Sequence, residues 1–159
     1  MATTYSMIPT TGQDVRAAAG VNDAFLLIGR ILIALIFVAS GAEKFMGLAE
    51  TTSQIASKGL PMPNILAIAT ATLELGGGLL VIIGWQTRLI ALALAVFTAV
   101  AAYFFHDFWH YPPGAEHTNN MIHFMKNVSI IGGFLMLTAA GAGRYSLDGP
   151  CIRPKYLGR

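Results

Sequence analysis

Three ionisable side chains, Arg30, Glu74 and Lys126, stand inside long apolar runs of the chain. A charge held in hydrocarbon without a partner is costly, so residues of this kind pair with one another or serve a function. Two cations and one anion leave a surplus positive charge. That surplus suits a small oxyanion, a quinol oxygen or a lipid phosphate. The plainer reading is an ion pair, Arg30–Glu74 or Glu74–Lys126, that only fixes helix register. A second polar group, Glu43, Lys44, His106, Asp107, His110, His117, His123 and Asn127, clusters near the ends of the same runs. His106 and His110 have the i, i+4 spacing of helical metal ligands. Pro112 and Pro113 argue against a helix continuing there, and no full ligand set accompanies the pair, so no metal site is expected. His106 and His123 close one run and open the next, which brings the two imidazoles within reach of each other. They then cap helix ends, relay protons to a quinol oxygen near neutral pH or, less favoured, hold a haem.

The elements that carry these residues follow from composition. The 159 residues are 55% hydrophobic and 11% charged, with a net charge of +2, and the mean hydropathy is +0.61. An average soluble domain has about 25% charged residues. These values exclude a disordered chain and an ordinary secreted domain. Ten Lys and Arg spread along the chain form no basic stripe, so no nucleic-acid partner is expected. The single cysteine, Cys151, allows no internal disulfide and supports no reactive-thiol motif.

The apolar residues fall into four blocks: Ala24–Ala42, Ile65–Trp85, Leu89–Phe105 and Met121–Gly143. A helix of about 20 apolar residues crosses a bilayer, and each block is apolar on nearly every face. The expected fold is all-α: a transmembrane four-helix bundle with antiparallel neighbours. Membrane lipid is therefore a partner. Residues 1–22 form a polar N-terminal segment, 23–149 the membrane domain and 150–159 a C-terminal tail. The polar start and the internal Arg30 argue against a cleaved signal sequence, so the first helix is retained. Arg16, Arg88, Arg144, Arg153, Lys155 and Arg159 lie on one side of the spans and Lys44 and Lys58 on the other. That asymmetry places both termini in the cytoplasm. Trp85, Tyr103, Trp109 and Tyr111 fall near the two interfaces. The connection Gly84–Arg88 is short, whereas about 20 residues after Lys44 form an outer loop punctuated by Pro61 and Pro63.

Small and polar residues share a face on the second helix (Ala67, Thr70, Ala71, Glu74, Gly77, Gly78) and on the third (Ala91, Ala95, Thr98, Ala102, His106). Helices in lipid pack through such faces, so these ionisable groups look into the bundle. Helix rise puts Arg30 about 9 Å, Glu74 about 15 Å and Lys126 about 8 Å inside their respective ends, so either cation can reach Glu74. Gly76-Gly77-Gly78 lies mid-helix without a preceding strand and reads as close packing, not as a phosphate loop.

Taken together, Gly29-Arg30, Ser40-Gly41-Ala42-Glu43-Lys44-Phe45, Glu74-Leu75-Gly76-Gly77, Gly84, Arg88, His106-Asp107-Phe108-Trp109, Lys126-Asn127 with Gly132-Gly133, and Gly143-Arg144-Tyr145-Ser146-Leu147-Asp148 resemble the DoxX family of small four-helix membrane proteins. The resemblance covers about residues 22–149. It implies a multi-pass protein of a bacterial-type inner membrane and points toward redox work, since relatives are subunits of a thiosulfate:quinone oxidoreductase and a mycobacterial relative is tied to a membrane oxidoreductase complex. It carries the family's recurring polar positions onto Arg30, Glu43, Lys44, Glu74, His106, Lys126 and Asn127.

Two functions remain open from the sequence. In the first, the chain is a subunit of a quinone-linked redox complex. Glu74, Lys126 and His106 act on the ligand, while Arg30, Asn127, His123, Lys44 and Glu43 hold it. A quinone is the expected cofactor and haem the lesser candidate. One cysteine and no flavin motif then imply that another subunit carries part of the chemistry. In the second, the chain is a non-catalytic anchor or assembly subunit of a membrane complex, and the polar cluster is structural or holds a lipid headgroup. Either way, other protein subunits or further copies of the chain are expected partners.

Overall fold

A computed structural model describes residues 12–149, and side chains from residue 22 onward. Cys151, Arg153, Lys155, Arg159 and the side chain of Arg16 lie outside the described residues. Among the described residues every regular element is a helix. α1 runs Gly12–Met46, α2 Leu48–Ser57, α3 Pro63–Ile83, α4 Thr87–Phe105 and α5 Ala115–Ala140, with a single 3-10 turn at Phe108–His110. Four segments are long and apolar enough to cross a membrane: Asn22–Met46, Pro63–Ile83, Thr87–His110 and Ala115–Ala140. They match the four blocks expected from hydropathy, except that α3 stops at Ile83, short of Trp85, and α5 runs from Ala115 to Ala140 rather than from Met121 to Gly143. Exposed Leu32, Ile36, Ile65, Leu89, Val96, Met125 and Met136 form the lipid-facing surface that such a bundle requires.

α1 packs most extensively on α3, and α4 on α5, so two helix pairs make the bundle. The α1–α3 seam is close because both helices present glycine. A Cβ on Gly41 would stand 2.4 Å from the backbone nitrogen of Leu75, and one on Gly78 2.8 Å from Val38 Cγ2. The glycine run divides its work: Gly78 meets α1, Gly77 meets Leu94 of α4, and Gly76 meets nothing within 4 Å. The core between the pairs holds Ala34, Phe37, Val81, Ala91, Leu94, Ala95, Phe134 and Leu137. Phe37 and Phe134 meet edge to face at 5.2 Å. Replacing Gly41 with valine forces α1 from α3 and is expected to cost about 3 kcal/mol. A denaturant titration of the detergent-solubilised protein reads this directly, and an unchanged midpoint would refute the close seam.

α3 and α4 turn through Gly84 and Gln86, both left-handed. The residues after α5 cross this end of the bundle as a strap. Asp148 accepts hydrogen bonds from the backbone N–H groups of Gln86 (3.0 Å) and Thr87 (2.8 Å), which supplies the cap that α4 lacks in its own sequence. Its own N–H donates to the Gly84 carbonyl at 2.8 Å. Arg144 N–H donates to Asp23 at 3.0 Å, tying the strap to α1.

Candidate functional site

Between the two helix pairs lies a cavity of about 520 Å³, at the end opposite the strap. Its walls are mostly apolar: Ile36 and Phe37 of α1, Leu66 of α3, Phe97, Val100 and Phe104 of α4, and Ile130 of α5. Polar groups converge on it from every long helix, namely Ser40 and Lys44, Thr70 and Glu74, His106, and Asn127. Few, well-placed polar groups in an apolar hollow are what a small-ligand site requires.

Its charged feature is an ion pair. Lys44 Nζ donates to Glu74 Oε2 at 2.8 Å and to Ser40 Oγ at 2.5 Å. Glu74 is only 5% exposed, near the middle of α3, so its charge needs this partner. Ser40 and Lys44 are one helical turn apart and therefore address Glu74 from the same face of α1. Among the described residues, Glu74 Oε1 and one N–H of Lys44 have no further protein partner.

The structure corrects the expected pairing. Glu74 pairs with neither Arg30 nor Lys126. Arg30 lies at the strap end, 1% exposed, where Nη2 donates to the Tyr145 carbonyl and Nη1 occupies the space beside the bare Cα of Gly84. Its Nε and Nη1 have no hydrogen-bond partner among the described residues, and the carboxylate of Asp148 supplies the nearby negative charge. Lys126 is exposed on α5, outside the cavity, while its neighbour Asn127 faces inward. Rotation about the helix axis decided the pairing.

His106 closes α4, but His123 does not open α5, which starts at Ala115, and no histidine side chain caps a helix end among the described residues. His106 and His123 stack nearly parallel, 16° apart with ring centroids at 5.0 Å. His106 also lines the cavity, and His123 reaches it only through this stack. His110 turns away after the 3-10 turn and meets Asp107 Oδ2 at 3.0 Å. His117 Nδ1 lies 3.2 Å from the Tyr111 carbonyl oxygen. No group of three or more His, Cys, Asp or Glu among the described residues is placed to share a metal ion.

Where an outer loop of about 20 residues was expected, the chain folds α2 across the end of the cavity. Thr51 and Ile55 are buried, and Thr51, Gln54 and Ile55 line the cavity from above. Lys58, just past α2, pairs with Asp107 at the end of α4 at 2.9 Å. This salt bridge ties the roof to the opposite helix pair. The sequence signal for α2 was present but faint: Leu48, Thr51 and Ile55 recur at helical spacing, yet only two of the three are apolar.

Four membrane-crossing helices, a strap sealing one end and a roofed polar cavity at the other define a small polytopic membrane protein with an internal ligand-sized chamber. Comparison with known families supports that class. The DoxX family model matches residues 25–107, and the chain belongs to the DoxX family. It is 41% identical to the inner membrane protein YphA of Escherichia coli (strain K12) over 77% of its own length and 87% of the relative's. It is 38% identical to the inner membrane protein YqjF of the same strain, over 80% and 92%. A shorter stretch, 44% of the chain and 51% of the relative, is 36% identical to CatD of Bacillus subtilis (strain 168), which carries an oxidoreductase name. No solved structure matches the chain. The protein is a multi-pass inner membrane protein.

Proposed function

We propose that the chain is an integral subunit of a membrane redox complex and that its roofed cavity holds a quinone-type ligand. The observation that carries this reading is an apolar chamber of about 520 Å³ with the Lys44–Glu74 pair inside it. The ion pair is neutral as a whole, so it favours an uncharged headgroup: a quinone carbonyl accepts from Lys44, and the hydroxyl of the reduced quinol donates to Glu74. Asn127 and His106 offer further polar contacts to carbonyl or hydroxyl oxygens of such a head. The aromatic and aliphatic walls suit the ring and the first part of an apolar tail. A quinone supplies two-electron redox chemistry when bound. The residues of this chain bind it, orient it and offer Glu74 and His106 as proton-holding groups. Electrons must come from a partner subunit, since the one cysteine lies in the tail and the sequence has no flavin motif. The oxidoreductase name of CatD supports the same direction.

Titration of the reconstituted protein with a short-chain ubiquinone analogue tests the reading. Saturable binding is expected; His106→Ala should weaken it by about tenfold, and Glu74→Gln should weaken binding of the reduced, quinol form by about tenfold, corresponding to roughly 1.4 kcal/mol. Absence of saturable binding by the folded wild-type protein would sink it. One observation favours the alternative of an anchoring or assembly subunit: Glu74 is already neutralised by Lys44, an arrangement that also serves merely to fix α1 against α3. On that reading the variants lower the yield of an assembled complex and leave no ligand affinity to measure.

A further inference from the structure

We infer that the protein forms a two-fold dimer in the membrane through the lips of the α1–α5 seam, with Glu43 of each copy paired to Lys126 of the other. The two long-helix pairs do not close evenly. Near mid-bundle α5 touches α1, where a Cβ on Gly133 would meet Ile33 Cδ1 at 2.7 Å and Phe134 meets Phe37. Toward α2 the same two helices part, and the cavity runs between Ser40 and Lys44 on one wall and Asn127 and Ile130 on the other. Glu43 and Lys126 stand on the two lips of this parted seam. Lys126 lies seven residues before Gly133 on one face of α5, so it turns toward the side where α1 runs. Glu43 lies seven residues after Ile36, which lines the cavity, so it shares the seam side of α1.

Both side chains are exposed, and neither has an ion-pair or hydrogen-bond partner among the described residues. Their neighbours Lys44 and Asn127 line one cavity, which places Glu43 and Lys126 at similar depth. Lys44 beside Glu43 is already paired with Glu74, so the free charge on the α1 lip is the negative one of Glu43 and that on the α5 lip the positive one of Lys126. A two-fold axis along the membrane normal keeps every residue at its own depth and sets α1 of one copy against α5 of the other. It therefore brings opposite charges together twice, where each alone would face lipid or the interface without a counter-ion. The rest of the face is compatible with close approach: Gly29, on the Ile36 face of α1, has open space within 4 Å of an added Cβ. The partner copy then also covers the α1–α5 side of the cavity. The inference goes beyond the quinone reading and stands or falls without it.

The test uses the full chain carrying Cys151→Ser in phosphatidylethanolamine–phosphatidylglycerol vesicles. Two differently tagged copies are co-expressed, one with Glu43→Cys and the other with Lys126→Cys, and then oxidised. A disulfide-linked heterodimer is expected. Independently, Glu43→Lys alone should weaken self-association by roughly tenfold or more, through loss of two interhelical pairs, and adding Lys126→Glu to the same chain should restore it. Single-molecule bleaching that shows one copy per particle for the wild type would overturn the inference. So would a chain carrying both cysteines that locks only within itself, since the seam then closes on its own residues.

Discussion

Lys44→Met is expected to destabilise the protein by about 3 kcal/mol, the scale of breaking a buried ion pair. The mutation leaves the carboxylate of Glu74, which is 5% exposed, among Phe37, Thr70 and apolar walls with no cation. The partial exposure of Lys44, 29% for its side chain, keeps the loss at the lower end of that range. For a protein of this size the melting temperature in detergent should fall by roughly 10 °C. The informative variant is the double one. Lys44→Met with Glu74→Gln removes both charges, leaves an amide in place of the orphaned carboxylate, and should recover most of the lost stability. Ligand titration of the double variant then separates structure from function. A stable double variant that no longer binds the ubiquinone analogue shows that the pair serves the ligand. A stable one that binds normally assigns the pair to helix packing alone. A double variant no more stable than the single one would contradict the pairing itself.

Among the charged residues, Arg30→Ala should have the second largest effect, about 2 kcal/mol, the lower end for truncating a large, fully buried side chain, since two of its nitrogens have no hydrogen-bond partner to lose. It removes the donor to the Tyr145 carbonyl and empties the space that Gly84 leaves open. The strap from Arg144 to Gly149 then loses one of its ties to α1 while keeping the Arg144–Asp23 bond and the Asp148 contacts to the start of α4. Hydrogen exchange should therefore quicken at the strap first, and in α4 only after Asp148 lets go. Arg30→Lys is not expected to rescue it, because an ammonium on a flexible stem cannot reproduce the planar fork between the Tyr145 carbonyl and Gly84. Unchanged exchange across residues 144–149 in Arg30→Ala would show that the strap is held by Asp148 and Asp23 alone.

The four crossings were legible because twenty apolar residues in a row leave few structural options. α2 was not, because a ten-residue helix held by Thr51, Ile55 and one salt bridge owes its existence to the cavity beneath it, which a linear pattern does not show. The site divides in the same way. Glu74, Lys44, His106 and Asn127 were recognisable by type and depth, and all four meet in one chamber. The partner of Glu74 was not, since Arg30, Lys44 and Lys126 differ by rotation about their helices and by how far α1 runs past its apolar core. Lys126 is exposed and outside the chamber, and α5 starts at Ala115, earlier than its apolar block suggested. Arg30 is buried as expected, but its partners come from a strap more than a hundred residues later in the chain, where no periodicity points back to it.

The placement of Glu74 along α3 has an electrical meaning. At 1.5 Å per residue it lies about 16 Å from the Pro63 end and about 14 Å from the Ile83 end. Whichever way the chain is threaded, a charge moved to or from this carboxylate crosses close to half of the membrane's voltage drop. That is work of about 1 kcal/mol for each 100 mV, or a roughly sevenfold change in the occupancy of any state that moves one charge there. Binding measured in de-energised vesicles and in respiring membranes should differ by that factor if a proton accompanies the ligand, and agree if none does.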